Sequence, residues 1–132
     1  MNQLVLPYPI STNRYWRIFR GKAVPSKEAT AYKLLVKARA REAGIVSIIG
    51  HVSLSITLRP KLNKDGSESK VCIDLDNALK VTLDALNGVA YADDSQIVEL
   101  YVVKGSAVDG GGLVVSISDS KNTQVENILK KD

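Results

Sequence analysis

Apolar and polar side chains alternate without a break from residue 51 to residue 58. The apolar positions are Val52, Leu54, Ile56 and Leu58, and the polar positions are His51, Ser53, Ser55 and Thr57. A period of two residues predicts a β-strand that buries one face and keeps the other in water. Shorter runs rich in Val, Leu, Ile and Tyr predict three further strands, at residues 3–6, 97–104 and 113–118.

Two segments have the spacing of helices instead. Ser26 is a suitable N-cap for a helix that runs to about Ala43, and Gly44 occupies the position after its end. A second helix is predicted over residues 76–86, where the Asn-Gly pair at 87–88 ends the apolar pattern.

The other segments are irregular. Residues 8–25 are predicted to form a small hairpin, whereas residues 59–70, which contain Pro, Asn, Asp and Gly, are typical of an exposed, mobile loop. The order of strands and helices predicts an α+β domain, a mixed β-sheet with two main helices packed on it. We assign this domain to residues 1–118, and residues 119–132 to a polar tail that is partly frayed or forms a short helix.

Composition and length indicate how many domains the chain forms and in which compartment it works. A chain of 132 residues is long enough for one domain with its own core. Because Cys72 is the one cysteine, no disulfide can form within the chain, which favours a reducing compartment. The N-terminus lacks the pattern of a signal peptide, and no apolar run is long enough to span a membrane. We therefore expect a cytoplasmic protein with no membrane partner.

The net charge of +4 is distributed unevenly. Residues 1–41 hold nine Lys and Arg residues and a single acidic residue, Glu28. This asymmetry favours a polyanionic partner, although a solvated basic face without a ligand explains it equally well. The acidic motif that follows later in the chain tips the balance toward a nucleic acid.

The acidic residues around position 75 are the strongest candidates for chemistry. Asp74 and Asp76 are separated by one residue, and Asp93-Asp94 follows in a predicted turn. If the fold brings Asp94 to the first pair, the repulsion between carboxylates, about 4 kcal/mol per pair at 4 Å, is relieved by a divalent cation. Oxygen ligands favour Mg²⁺ or Mn²⁺ over zinc. The alternative is an N-cap with a first-turn acid, followed by an ordinary turn.

Two neighbours of the first pair suit chemistry on a phosphate. Lys80 follows Asp76 by four residues, so both project from one helix face, and its ammonium can offset charge on a phosphate. Asn77 can donate a hydrogen bond to a phosphate or to a metal-bound water. The alternatives are a plain ion pair between Asp76 and Lys80 and a hydrogen bond at the helix terminus. Asp84, one turn further on, is expected to be a solvated helix residue.

Three motifs, in this order and spacing, are those of one known family. They are Leu6-Pro7-Tyr8-Pro9 with Ser11 and Asn13-Arg14-Tyr15-Trp16-Arg17; Asp74-Leu75-Asp76-Asn77 with Lys80 and Asp84-Ala85-Leu86; and Ala92-Asp93-Asp94-Ser95-Gln96-Ile97-Val98. Over most of its length the chain resembles the RusA family of bacterial and phage Holliday-junction resolvases. Members of that family can carry a dense arginine run before the first aspartate, whereas the loop here mixes lysines with acids. This difference bears on junction affinity and on cutting-sequence preference.

The resemblance implies a homodimer that binds four-way junction DNA and cuts two strands symmetrically, using Mg²⁺ with Mn²⁺ as a substitute. It implies that Asp74, Asp76 and Asp94 are catalytic, metal-binding aspartates. It also implies that Lys80 is the functionally required lysine and that Asn77 acts beside it. Two equivalent cuts suit a two-fold dimer. The candidate interfaces are the apolar side of the second helix and the strand at 97–103, with ordinary core as the alternative for both.

We expect DNA to be held mainly through its phosphates, with a steep dependence on salt. The expected contacts are Asn13, Arg14, Arg17, Arg20, Lys22, Lys61, Lys64, Lys70 and Asn77. Three aromatic residues, Tyr15, Trp16 and Phe19, lie among these cations. For them, packing of the hairpin onto the core is favoured over stacking on unpaired bases.

The leading hypothesis is a metal-dependent, structure-selective endodeoxyribonuclease of DNA recombination and repair, with water as the nucleophile. One alternative is a non-catalytic module that binds branched DNA, in which the acids only cap a helix. A second alternative is a phosphohydrolase acting on nucleotides. The basic region is larger than a mononucleotide requires, which disfavours that second alternative.

Overall fold

The first and last strands lie side by side in one four-stranded sheet. The computed structural model describes residues 2–120. Its strands are β1 (Asn2–Leu6), β2 (Trp16–Phe19), β3 (Lys22–Pro25), β4 (Val52–Arg59), β5 (Ile97–Lys104) and β6 (Gly112–Asp119), and its helices are α1 (Lys27–Glu42) and α2 (Leu79–Leu86). The sheet order is β1-β6-β4-β5, in which only β4 and β5 are parallel. The expected mixed sheet with two main helices is confirmed.

The alternation along β4 sets the buried face of this sheet. Its four apolar side chains are fully buried, as the sequence predicts. The register of β6 places Ile117 opposite Leu54 and Val115 opposite Ile56, so both strands contribute to the same apolar layer. The serines and the threonine between them face the other side and stay partly exposed.

The helix α1 begins where its cap predicts. The Ser26 Oγ accepts a hydrogen bond from the Ala29 N–H at 3.1 Å, which satisfies one of the free donors at the start of the helix. The buried side of α1 is formed by Ala29, Tyr32, Val36 and Ala40. Gly44, with φ at 71°, adopts the left-handed conformation that ends the helix.

The second helix starts later than the sequence predicts. A short 3-10 turn, Asp76–Ala78, comes first, and α2 then forms the crossover that parallel β4 and β5 require. Val81, Ala85 and Leu86 are fully buried, and α2 packs on α1. The apolar side of α2 is therefore ordinary core. The prediction that this side of the helix forms a dimer interface is therefore replaced by its alternative, ordinary core.

The hairpin predicted in residues 8–25 is confirmed as β2 and β3. Its two-residue turn, Arg20-Gly21, has φ angles of 51° and 74°, the left-handed geometry that suits tight hairpins. The expected packing of its aromatic residues on the core is correct for Tyr15, which is buried. It is wrong for Trp16 and Phe19, which are about half exposed.

The segment 59–70 is an exposed loop from Lys61 onward, as its composition predicts, and hydrogen bonds within it close a turn. The Ser69 N–H donates to the Lys61 carbonyl at 2.8 Å, and the Asn63 N–H donates to the Ser67 carbonyl at 2.7 Å. The Asp65 carboxylate accepts hydrogen bonds from the Ser67 N–H and hydroxyl. The short polar side chains close the turn locally, as such residues often do.

Most of the predicted tail, residues 119–132, lies outside the described residues. Only Asp119, the last residue of β6, and Ser120 belong to the described part. Among residues 2–120, no helix has the length and apolar character needed to cross a membrane.

Candidate active site

The segment that carries Asp74 and Asp76 leads into α2 through a tight turn. The Asn77 N–H donates to the Asp74 carbonyl at 3.0 Å, and the Ala78 N–H donates to the Leu75 carbonyl at 3.2 Å. These bonds fold the backbone so that both aspartate side chains are exposed. Asp76 is the first residue of the 3-10 turn, where the helix dipole favours negative charge.

The N-terminal motif lies directly against this segment. The Tyr8 hydroxyl accepts a hydrogen bond from the Ile73 N–H at 3.0 Å, and the Thr12 hydroxyl donates to the Asn77 carbonyl at 3.2 Å. Tyr8 also donates to the sulfur of Cys72 at 3.6 Å, and this cysteine is half-buried. Two motifs that are some sixty residues apart in the chain thus meet on both sides of Asp74.

Lys80 pairs with Asp84, and not with Asp76 as the alternative interpretation proposes. Its Nζ lies 3.3 Å from the Asp84 Oδ2, and the same oxygen accepts a 2.6 Å hydrogen bond from the Tyr15 hydroxyl. The expectation that Asp84 is a solvated helix residue is wrong, since only 22% of its side chain is exposed. Burial, followed by the hydrogen bond to Asp84 and by the charge of Asp84, raises the pKa of Tyr15. The phenol therefore keeps its proton and acts as a donor.

Aromatic rings flank the ammonium of Lys80. Its Nζ lies 5.7 Å from the centre of the Tyr15 ring and 5.8 Å from that of the Trp16 ring. The two rings meet edge to face, with centroids 4.7 Å apart. Lys80 is therefore held by one carboxylate and two aromatic rings, which restricts the directions in which its charge can point.

Asp93 and Asp94 have different tasks. The Asp93 carboxylate caps the short 3-10 turn Asp94–Gln96 by accepting from the Ser95 N–H at 3.1 Å, and this bonding to Ser95 lowers the pKa of Asp93. Gln96 accepts in turn from the Asp93 N–H and donates to the carbonyls of Ile48 and Gly50. Asp93 is thus part of a capping box, whereas the neighbouring Asp94 side chain is exposed.

A buried phenol links the second acidic pair to α2. The Tyr91 hydroxyl donates to the Leu83 carbonyl at 3.1 Å. Burial raises the pKa of Tyr91, and the negative charges of Asp94, Asp84 and Asp93 raise it further. Tyr91 therefore lies within electrostatic range both of the turn at 93–94 and of Asp84.

The carboxylates of Asp74, Asp76 and Asp94 suit a hard cation in their chemistry. Within residues 2–120, none of the three accepts a side-chain hydrogen bond or joins an ion pair, so their oxygens are available. In the same residues, no three Asp, Glu, His or Cys side chains lie close enough together to share one ion. Carboxylate oxygens are therefore suitable ligands for Mg²⁺ or Mn²⁺. As they lie within residues 2–120, however, the three side chains do not surround a single point.

Two of the predicted DNA-binding residues, Arg14 and Lys61, come together beside this site. They line a cleft of about 520 Å³ together with Tyr8, Glu28 and Ile73, so two cations and one acid border the residue before Asp74. Lys61 lies 4.8 Å from the centre of the Tyr8 ring, and Arg14 forms an exposed ion pair with Glu28 at 3.7 Å. The remaining cations, Arg17, Arg20, Lys22, Lys64 and Lys70, are exposed on the hairpin and on the 59–70 turn, and Asn13 is exposed near the cleft.

Sequence comparison identifies the protein family to which these motifs belong. The family model described as endodeoxyribonuclease RusA matches residues 7–118, from the first motif to the last strand. The chain belongs to the RusA family. The resemblance seen in the three motifs is confirmed, and a nuclease of this family implies dependence on a divalent metal ion.

Relatives match the chain along nearly all of its length. The crossover junction endodeoxyribonuclease RusA of Enterobacteria phage HK97 is 34% identical over 122 residues, which cover 89% of this chain and 93% of that protein. Proteins with the same description from Enterobacteria phage 82 and Escherichia coli K12 are each 32% identical over 120 residues, covering 90% of this chain and 95% of each relative.

Two residues of the site were missed from sequence alone. Asp84 and Tyr15 both belong to the quoted motifs, but their partnership with Lys80 appears only in three dimensions. A signal was present, because Asp84 follows Lys80 by four residues, the spacing of a helical ion pair. Nothing in the sequence says that this pair forms in preference to the pair with Asp76.

Proposed function

We propose that this protein is a Holliday-junction resolvase, an endodeoxyribonuclease that hydrolyses two symmetrically placed phosphodiester bonds in four-way junction DNA. The observation that carries this proposal is the placement of the exposed aspartates of the 74–76 segment, which have no ion-pair partner among residues 2–120, beside a cleft that Arg14 and Lys61 border together with Glu28. Membership of the RusA family supports the same conclusion. The substrate implies that the enzyme works in the cytoplasm, in DNA recombination and repair.

Asp74, Asp76 and Asp94 are the proposed ligands of the divalent ion, which is Mg²⁺, with Mn²⁺ able to replace it. Within residues 2–120 their exposed carboxylate oxygens have no hydrogen-bond or ion-pair partner, and they are the hard donors that these ions prefer. When bound, the ion supplies Lewis acidity at the scissile phosphate. Asp93 is excluded from the set because its carboxylate already caps the turn.

Lys80 is the proposed electrostatic partner of the phosphate. Its side chain is 44% exposed, and its contact with Asp84 holds the ammonium beside α2. A fixed positive charge of this kind stabilises the extra negative charge that develops on a phosphate as water attacks. Asp84 and Tyr15 hold the ammonium in place. Asn77 is the proposed hydrogen-bond donor to a phosphate oxygen.

The cations of the cleft and its surroundings are the proposed phosphate contacts. Arg14 and Lys61 border the cleft, while the hairpin and the 59–70 turn extend the basic surface away from it. Such contacts position DNA and carry little base sequence information. Recognition of the shape of a junction, combined with strong dependence on salt, is the expected behaviour.

A homodimer is part of the proposal, because two equivalent cuts require two equivalent sites. The strand β5 is the proposed interface. It is an edge of the sheet, and Leu100, Tyr101 and Val103 on it are exposed, which is unusual for an edge left in water.

A cleavage assay tests the proposed function. An end-labelled synthetic four-way junction and a matched linear duplex would be incubated with Mg²⁺, with Mn²⁺ or with EDTA. We expect paired, symmetric cuts in the junction with either metal, and no cuts in the duplex or with EDTA. Tight binding of the junction without cuts in either metal would favour a non-catalytic branched-DNA-binding module.

A further inference from the structure

The β2–β3 hairpin presents large apolar side chains to water. The exposed fractions are 47% for Trp16, 73% for Ile18 and 49% for Phe19. The hairpin pairs only with itself, apart from the four-stranded sheet, and a lone two-stranded hairpin is marginally stable in water. Exposed apolar groups concentrated on such an element mark a surface that contacts another molecule.

The base of the hairpin is fixed beside the candidate active site. Ser26 closes it, since its N–H donates to the Tyr15 carbonyl and its hydroxyl donates to the Arg14 carbonyl, each at 2.7 Å. The buried Tyr15 binds Asp84, and the neighbouring Trp16 ring flanks Lys80. The exposed hairpin therefore extends directly from the residues that hold Lys80.

The two faces of the hairpin carry different chemistry. Because side chains alternate along a strand, Trp16 and Ile18 share one face, and Arg17 and Phe19 share the other. The guanidinium groups of Arg17 and Arg20 lie 5.3 Å and 5.2 Å from the centre of the Phe19 ring. Phe19 is thus flanked by two flat cations that also match the geometry of phosphates.

The charge of the hairpin distinguishes between possible partners. Residues 14–25 contain three arginines and one lysine, and no acidic residue. A second copy of the chain, meeting this surface across a two-fold axis, would bring like charges together. Aromatic rings among cations are instead the surface that unpaired bases and their phosphates require.

We propose that the β2–β3 hairpin stacks on bases that the branch point of the DNA leaves unstacked, and so distinguishes a junction from a duplex. This inference rests on the proposed function and adds a base-contacting element to it. Trp16 and Phe19 stack on bases, Ile18 packs against them, and Arg17, Arg20 and Lys22 hold the adjoining phosphates. In a linear duplex the bases are already stacked on one another, so only the phosphate contacts remain.

Trp16, the one tryptophan of the chain, provides a direct measurement. The full-length protein in EDTA, where the proposed reaction cannot proceed, would be titrated with a four-way junction or with a linear duplex. Anisotropy of labelled DNA would establish saturation. We expect junction DNA to quench the tryptophan emission severalfold more than duplex DNA does. Equal quenching by the two saturating DNAs, or none by the junction, would overturn the inference.

Variants test the same contact without relying on tryptophan. We expect Phe19→Ala to weaken junction binding about tenfold, as the loss of one stacking contact implies, and to leave duplex binding nearly unchanged. Ile18→Ala should act in the same direction. Val46→Ala is the matched control, since Val46 is 71% exposed and lies outside the hairpin. Unchanged thermal unfolding of the variants would exclude misfolding as the cause.

The outcomes separate this inference from the proposed function. If the wild type cuts junctions, and Phe19→Ala and Ile18→Ala bind them with unchanged affinity, the hairpin inference fails and the resolvase proposal stands. If junctions quench Trp16 selectively but are never cut, the resolvase proposal fails and the hairpin inference stands. If both variants become monomeric without any change in DNA discrimination, the hairpin is a contact between copies, which also overturns the inference.

Discussion

At the scale of single residues, the two members of an adjacent acidic pair have different environments. Asp93 accepts a hydrogen bond from the Ser95 N–H, while the Asp94 side chain has no such partner among residues 2–120. A carboxylate already committed to a cap cannot also bind an ion without breaking the turn. This difference supports Asp94 as the proposed ligand.

The pair allows a matched substitution. We expect Asp94→Asn to lower the rate of junction cleavage by about a hundredfold or more, since it removes charge that stabilises the reacting centre. Asp93→Asn should cleave at nearly the wild-type rate, because asparagine caps helices as well as aspartate does. Single-turnover cleavage and Mg²⁺ binding by calorimetry would measure both. Equal loss in the two variants would contradict the assignment.

Tyr15 is expected to contribute to stability in a manner that depends on pH. Its buried hydroxyl donates to Asp84 at 2.6 Å, so Tyr15→Phe should cost about 1.5–3 kcal/mol of unfolding free energy at pH 7. The pKa of Tyr15 is raised above 10.0, so the folded chain binds this proton more tightly than the unfolded chain. Its contribution is therefore complete below pH 10 and decreases above it.

Urea unfolding of the wild type and of Tyr15→Phe at several pH values checks this. The difference between the two should be constant from pH 7 to about pH 9.5 and should narrow at higher pH. Cleavage should fall as well, because Asp84 loses one of the two groups that fix it beside Lys80. A stability difference that grows with alkaline pH would contradict this account.

At the scale of elements, one serine joins α1 to the hairpin. Ser26 caps α1 through its side chain and holds the hairpin base through its hydroxyl and its N–H. The capping role follows from the sequence, since serine before an apolar helical pattern is a strong start signal. The contact with the hairpin does not, because it depends on how the chain folds back at Arg14.

We expect Ser26→Ala to destabilise the protein by about 1–2 kcal/mol, the usual cost of a lost N-cap. The loss of the hydroxyl contact with the Arg14 carbonyl should also loosen the hairpin, which hydrogen exchange of β2 and β3 amides would detect. Ser47→Ala, at an exposed position in the turn after α1, is the control. Faster exchange in α1 with no change in the hairpin would show that the two are not linked through Ser26.

At the scale of the whole molecule, the two edge strands of the sheet expose different amounts of apolar surface. The strand β1 lies at one edge and β5 at the other. Because β5 exposes Tyr101 and Val103, its burial between two copies would remove apolar surface from water. We propose this surface for the dimer that paired cuts require.

A charge placed on this surface tests the dimer. We expect Val103→Glu to shift the protein from dimer to monomer in analytical ultracentrifugation, because the dimer would bury an unpaired carboxylate. Val46→Glu, at an exposed position outside β5, should leave the mass unchanged. The monomeric variant should cut one strand of a junction without making the second, symmetric cut. A dimer that survives Val103→Glu would place the interface elsewhere.

Much of the fold could be predicted from the sequence because its causes are local. The unbroken alternation in β4 determined which face is buried, Ser26 determined where α1 begins, and the irregular segment 8–25 was predicted to contain the hairpin. The same local patterns identified the acidic segments and the family. Each of these depends on residues that are neighbours in the chain, where period and spacing suffice.

Tertiary structure decided the contacts that local patterns leave open. Lys80 has an aspartate four residues away on each side, so spacing alone is neutral between Asp76 and Asp84. In the structure Lys80 pairs with Asp84. The same carboxylate accepts a hydrogen bond from Tyr15, which belongs to the distant N-terminal motif. In the same way, Tyr15 is buried while Trp16 and Phe19 are exposed, because only the three-dimensional position of the hairpin determines which aromatic ring meets the core.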